Sequence, residues 1–225
     1  EINVYAGFYS TTAGSYTWSV PAGITAINVA AFGGGGGGGS SNNTNTNGGS
    51  GGGGAAYANG NHTVVPSTLL YYRVGAGGNG GPASSTTAPT NGLPTWLNAT
   101  GVNAAPATNV IGTLADFGRA GVNNSTATPT NRGTAAASFG NIATTNGNNG
   151  AAGTANGGGN GGNSAAGAAG NITWQGTGGA GVNSGVSNPG VIPGGGGGGS
   201  NDNANSAGGA GAAGFIVVTY SFPKL

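Results

Sequence analysis

The sequence predicts a mostly irregular, all-β protein: a bundle of packed polyglycine-II helices flanked by a small antiparallel sheet of N- and C-terminal strands, with essentially no α-helix. Three observations predict it. Of 225 residues, 55 are Gly and 10 are Pro, whereas ordinary domains carry about 7% Gly. The glycines are gathered into tracts between apolar segments. Only 3% of residues are charged, yet three Trp, seven Tyr and six Phe are present. Disorder driven by charge repulsion needs high net charge and few aromatics, and a collagen helix needs strict Gly-X-Y. Neither pattern is met.

The strands follow in chain order. Ile2-Asn3-Val4-Tyr5 and Gly14-Ser15-Tyr16-Thr17-Trp18-Ser19-Val20 alternate with period two, and Pro21-Ala22-Gly23 ends the second run. Residues 24–32 (ITAINVAAF) form a third strand, and 57–65 and 69–74 form a fourth and fifth around the turn residues Pro66-Ser67. Residues 214–220 (GFIVVTY) are apolar and β-branched, as in a central strand. First and last strands that pair would place the termini close together. Helical periodicity is absent, and Gly and Asn disfavour helix throughout.

Glycine runs occupy residues 33–39, 51–54 and 194–199, and Gly recurs every third residue at 75, 78 and 81, at 147, 150 and 153, and at 208, 211 and 214. A flexible linker is one reading of such tracts. The other is a set of extended helices with ~3 residues per turn and a rise of ~3.1 Å per residue. Such a helix bonds nothing within itself, so its N–H and C=O groups need partners on neighbouring chains. Gly at every third position lets one neighbour approach, and a pure Gly run faces neighbours on all sides. The bundle centre is therefore assigned to Gly33, Gly36, Gly39, Gly52, Gly194, Gly197 and Gly199. One domain is expected over 1–225, with a strand base at 1–32 and 214–222 and the bundle with its loops at 33–213.

Composition also narrows function. Four Lys and Arg against three Asp and Glu give a net charge of +1, so no basic footprint for nucleic acid exists. No stretch is apolar enough to span a bilayer as a helix. Without Cys there is neither a disulfide nor a thiolate metal site. A chain without Met that starts at Glu1 reads as a processed product or an excised fragment. The catalytic inventory is His62, Glu1, Asp116 and Asp202. Gly48-Gly49-Ser50-Gly51-Gly52 matches G-x-S-x-G, but that motif works on a strand-to-helix elbow, and no helix follows. No enzyme activity, metal or cofactor is expected. Asn201-Asp202-Asn203-Ala204-Asn205 reads as a polar turn, since Ca²⁺ gathers 6–8 oxygens, and His62 as decoration of a hairpin. Glycosylation sequons begin at Asn42, Asn61, Asn98, Asn123, Asn124 and Asn171, several expected by chance in so Asn- and Thr-rich a chain.

Three segments carry a family likeness: GSYTWSVPAGITAINVAAFGGGGGGG (14–39), GGGGAAYANGNHTVVPSTLLYYRVGAGGNGG (51–81) and PGGGGGGSNDNANSAGGAGAAGFIVVTY (193–220). In that order they resemble the glycine-rich domain of bacteriophage tail-fibre adhesins and receptor-binding tip proteins. The resemblance implies a polyglycine-II sandwich at a fibre tip, with variable distal loops touching the host surface. Residues 82–193 depart from the pattern.

Candidate receptor-binding residues are aromatics in polar surroundings, namely Trp96 with Leu97 and Asn98, and Trp174 with Gln175. Their rings and amides offer stacking and hydrogen bonds to a saccharide. Covering an end of the bundle is the alternative role for each Trp. Arg119 and Arg132 flank a polar stretch containing Asn123 and Asn124, and a guanidinium suits phosphate or carboxylate. The first functional reading is an extracellular adhesin, at a virion tail-fibre tip, bound to a bacterial surface glycan or outer-membrane protein. The second is an exported subunit of a filament or surface layer, whose partners are copies of itself. Either way the domain is expected on a larger fibre or in a homo-oligomer. An ice-binding protein is the third reading, disfavoured by irregular Thr spacing.

Overall fold

The computed structural model describes all residues except 1–4, 42–46, 84–86, 170–171, 183–186, 202–205 and 223–225. The fold is nearly all-β. Its strands are β1 (Tyr5–Ser10), β2 (Gly14–Ser19), β3 (Ala26–Phe32), β4 (Tyr57–Thr63), β5 (Leu69–Val74), β6 (Thr95–Asn98), β7 (Gly112–Ala115), β8 (Ala143–Thr145), β9 (Gly167–Ala169), β10 (Ile172–Trp174) and β11 (Phe215–Ser221). The helical content of the described residues is one 3₁₀ turn, Ala135–Ala137. Antiparallel pairing builds a five-stranded sheet in the order β1-β11-β3-β4-β8, a four-stranded sheet β2-β5-β6-β7, and the hairpin β9-β10.

The expected pairing of terminal strands is present, with Tyr5 opposite Ser221 and Ser10 opposite Ile216. Of the segment expected as the first strand, only Tyr5 lies within the described residues, and β1 runs on to Ser10. The strand base is also larger than expected. It takes in β4 to β8, so residues 33–213 are not one uninterrupted bundle.

Period-two alternation explains how the two sheets stack. Ile27, Val29 and Ala31 of β3 and Ile216 and Val218 of β11 pack against Leu70, Tyr72 and Val74 of β5 and Leu97 of β6. On the opposite face of the larger sheet, Ala30, Phe32, Tyr57 and Phe215 form a second cluster. Each fully buried Val, Leu, Ile or Phe contributes about 1.5–3 kcal/mol, so these clusters anchor the base. Between β4 and β5, Thr68 N–H donates to Val65 O at 3.3 Å across Pro66-Ser67. Ser67 has φ 62° there, the left-handed conformation a type II turn requires at its third residue.

Beyond the sheets the chain runs out and back in extended segments without ladder pairing. Successive amides of residues 33–39 turn to three different neighbours in rotation. The N–H groups of Gly33, Gly36 and Gly39 donate to Ala56, Gly53 and Ser50. Those of Gly34 and Gly37 reach Leu93 and Thr90, and those of Gly35 and Gly38 reach Ala212 and Gly209. Rotation with period three is the mark of a three-residue helical turn. The carbonyls repeat the rule toward three further neighbours: Gly35 O accepts from Gly78 N–H, Gly34 O from Gly118 N–H and Gly36 O from Gly197 N–H, all at 2.8–2.9 Å. This run therefore sits inside six flanking chains.

The runs from 48 and from 194 are surrounded in the same way. Gly52 N–H donates to Gly197 O at 2.8 Å, and Gly197 N–H donates onward to Gly36 O at 2.9 Å, so the three runs are linked in series. Perimeter runs need contact on fewer sides, so they admit side chains. In 208–214, Gly208, Gly211 and Gly214 donate inward to Gly81, Gly78 and Gly75, while Ala210 is exposed. Buried polar side chains also join the lattice, Asn131 among them. Asn131 Nδ2 donates to Gly51 O at 2.8 Å, and its Oδ1 accepts from Gly150 N–H at 2.9 Å.

A side chain at a central position has nowhere to go. A Cβ built on Gly36 would fall onto the Arg119 carbonyl, well inside contact distance. Gly36→Val is therefore expected to abolish the cooperative melting transition, because the clash is with fixed backbone. Ala210→Val, on the exposed third of a perimeter run, is expected to change stability by less than about 0.5 kcal/mol. Circular dichroism melts of the two variants check this.

Candidate functional site

The bundle gives the molecule two unlike ends. β3 leads into the run at Gly33 and β11 begins after Gly214, so the sheets and the described chain ends, Tyr5 and Phe222, occupy one end. Seven residues beyond Gly33 at ~3.1 Å each carry the chain about 22 Å out to Ser40. At that level Ser40 N–H donates to Asn123 Oδ1 at 2.9 Å, and Asn123 Nδ2 donates to Thr87 O at 2.9 Å. Asn124 N–H, from a residue at φ 49°, donates to Ser40 O at 3.1 Å. Ser41 N–H donates to Ser200 Oγ at 2.8 Å, and Ser200 Oγ donates to Ser206 O at 2.8 Å. Ser41 Oγ also donates to the Asn201 carbonyl.

The long glycine runs thus end in serines, and the hydroxyls of Ser41 and Ser200 replace lattice bonds that cease there. Ser40, Ser41, Ser200 and Asn201 are fully buried, and the Ser40 hydroxyl has no partner among the described residues. These residues floor the far end, with Thr126, Ala127 and Thr128 exposed beside them. No described residue there is charged. Sequence reasoning missed this floor. The signal was the serine that closes each of the two longest tracts, in Gly39-Ser40-Ser41 and Gly199-Ser200-Asn201.

The expected binding residues are not brought together. Trp96, Leu97 and Asn98 were expected at a surface and instead form buried β6, with Leu97 inside the sandwich. Trp96 pairs between Arg73 and Leu114. Asn98 is spent on its own loop: its Oδ1 accepts from Thr100 N–H at 2.9 Å and its Nδ2 donates to Ala104 O at 3.0 Å. Arg119 is half-exposed but committed inward. Its Nη1 donates to Asp116 Oδ2 at 3.1 Å and to Arg132 O at 2.8 Å, and the guanidinium lies 5.0 Å from the Phe117 ring. Asp116 also accepts from Thr134 N–H at 2.9 Å. Arg132 is exposed. Asn123 and Asn124 lie at the far end, within the polar floor.

Trp174 is exposed on the outer face of the larger sheet, its ring 4.9 Å from that of Phe215. Gln175 donates through Nε2 to Ser164 O at 3.0 Å. The assigned glycines hold lattice positions, with Gly194 (φ 63°) turning the chain into its run. Asp202 and Asn203–Asn205 of the polar turn lie outside the described residues.

His62 was expected to decorate a hairpin and is buried instead. It points from β4 toward β7, with Nε2 2.7 Å from Thr113 Oγ1. Ser50 of the G-x-S-x-G match is a lattice member, its Oγ accepting from Val122 N–H at 2.8 Å. No group of His, Asp or Glu among the described residues has the geometry of a metal site.

A polyglycine-type bundle seated on a β-sandwich defines the class of protein. A model of the glycine-rich domain family matches residues 10–221, and the chain belongs to that family. No curated protein matches it. No helix among the described residues is long and apolar enough to cross a membrane.

Burial holds the His62 pKa below its usual value, a nearby Val110 carbonyl offsetting this in part. The unfolded chain then binds a proton more readily than the folded one. Stability from neutral His62 is complete above about pH 6.5 and is lost as pH falls from there through the lower folded value. The melting temperature is expected to decline below about pH 6, and His62→Gln to flatten that decline. Thermal melts of both proteins between about pH 4 and pH 8 measure it.

Proposed function

We propose that this protein is a non-enzymatic extracellular adhesin, a domain of the tail-fibre-tip kind whose far end binds a glycan or outer-membrane protein on a bacterial surface. The observation that carries the reading is polarity. The described chain ends share the sheet end, where a fibre would attach, and the connections between outgoing and returning runs gather at the other. A rigid lattice that presents loops at one end suits recognition, because loops vary without disturbing the scaffold. The uncharged floor of Ser and Asn supports a ligand met through hydrogen bonds rather than ion pairs. The burial of Ser50 within the lattice supports the non-enzymatic reading.

One observation favours a second reading, an exported subunit of a filament or surface layer. The edge strands β1 (YAGFYS) and β2 (GSYTWS) carry no Pro and no charge, the usual guards against edge-to-edge pairing. Copies of the chain would then be the partner.

Adsorption to bacterial cells decides between them. Purified protein is expected to bind with less than about a twofold change between about 50 mM and about 500 mM NaCl, a range that shortens the Debye length severalfold. Replacing Thr126, Ala127 and Thr128 together by Gly and Ser is expected to abolish adsorption and leave the melting temperature unchanged. A tenfold loss at high salt would contradict the uncharged far-end site, and spontaneous polymerisation without cell binding would contradict the adhesin.

A further inference from the structure

The outer face of the five-stranded sheet is divided. Near the bundle, the β9-β10 hairpin covers it. Tyr57, whose phenol burial keeps protonated, donates to the Ala168 carbonyl of that hairpin. Farther from the bundle no described residue covers the face. Two exposed rings mark the boundary on either side of Phe215: Tyr9 of β1, 75% exposed, at 6.3 Å, and Trp174 at 4.9 Å. Below them lie two depressions of about 250 and 290 Å³. One runs over Gly7, Val217 and Thr219, the other over Asn28, Asn61 and Thr219.

The amides on this face are oriented by one another. Asn28 Nδ2 donates to Asn59 Oδ1 at 2.8 Å and to Asn61 Oδ1 at 2.9 Å. With its oxygen held by Asn28, exposed Asn61 turns its NH₂ group outward, where it has no partner among the described residues. Asn141 holds the Asn61 backbone from the other side, its Oδ1 accepting the Asn61 N–H at 2.7 Å and its Nδ2 donating to Asn61 O at 2.7 Å. The donor is therefore preorganised, which lowers the ordering penalty on binding. The described charged side chains lie elsewhere: Arg73 on the other sheet, and Asp116, Arg119 and Arg132 in the bundle.

We propose that this open face is a binding platform for an uncharged linear oligosaccharide. Trp174 and Tyr9 stack against sugar faces at one end, and the Asn61 amide and Thr219 hydroxyl bond sugar hydroxyls at the other. Phe215 and Thr219 are four residues apart on β11, about 13 Å at strand rise, a span that asks for several linked rings. The chemistry points to a neutral ligand. Aromatic faces satisfy C–H-rich sugar surfaces, amide and hydroxyl groups match sugar hydroxyls in both donor and acceptor roles, and no charged side chain among the described residues lies on this face to recognise an ionic partner. The platform is separate from the far end, so it does not rest on the adhesin reading.

The test is a titration of the whole protein with malto-, cello-, chito- and manno-oligosaccharides, beside polygalacturonate as an anionic comparison. It is followed by calorimetry and by the NMR signals of the Trp174 indole N–H and the Asn61 side-chain amide. Binding of at least one uncharged series is expected, with shifts at both reporters. Trp174→Leu keeps an apolar cover on Phe215 but removes the aromatic face. Asn61→Asp keeps the oxygen that Asn28 holds but removes the outward donor. Each is expected to weaken binding about tenfold or more while the melting temperature stays close to that of the parent. No binding across the uncharged panel, equal binding by both variants, or binding of polygalacturonate alone would overturn the proposal.

Discussion

Every backbone amide in the glycine runs needs a partner on another run, and that single requirement organises the molecule. An extended three-fold helix makes no hydrogen bonds within itself, while a buried amide left without a partner costs about 1–3 kcal/mol. Residues 33–39 meet the demand by turning successive N–H groups to 50–56, 90–93 and 209–212. Ordering Gly carries the largest backbone entropy penalty of any residue, so the lattice stands only when its neighbours are already in place. The β-sandwich supplies that placement. Phe32 is locked in the core and hands the chain to Gly33, and Gly214 returns it to buried Phe215.

The same requirement decides where function can reside. Side chains inside the bundle are either absent or drafted into the lattice, as Asn131, Ser50 and the Arg119–Asp116 pair show. What remains for recognition is surface the lattice does not use: the far end, where its hydrogen-bond pattern runs out, and the open half of the larger sheet. Neither carries a charged side chain among the described residues. A surface of that kind is weak at long-range steering and gains specificity from shape and hydrogen-bond geometry. Several copies on one fibre would multiply a modest affinity.

The elements that were legible are those whose signal is local. β2, β3, β5 and β11 alternate with period two, and glycine spacing gave the lattice its core, since close approach of backbones tolerates nothing larger. β6 and β7 escaped because they are four residues long and buried throughout, leaving no alternation to read. Trp96 and Trp174 look alike in sequence, each an aromatic among polar residues. Only the third dimension separates them: Trp96 lies between two paired strands, whereas Trp174 sits on the outside of a sheet. The Asn28–Asn59–Asn61 ladder was hidden for the same reason. Its members are 31 and 33 residues apart in pairing distance and meet only through the β3-β4 register. His62 and Arg119 were misplaced because burial and an ion pair across three residues depend on what packs around them.

Residue-resolved hydrogen exchange of the native protein bears most directly on the lattice. The amides of 33–39 and 194–199 are expected to exchange as slowly as those of the central strands β3 and β11, because releasing any one of them requires neighbouring runs to separate together. Exchange of these amides within seconds, at the rate of a free glycine-rich linker, would contradict the account.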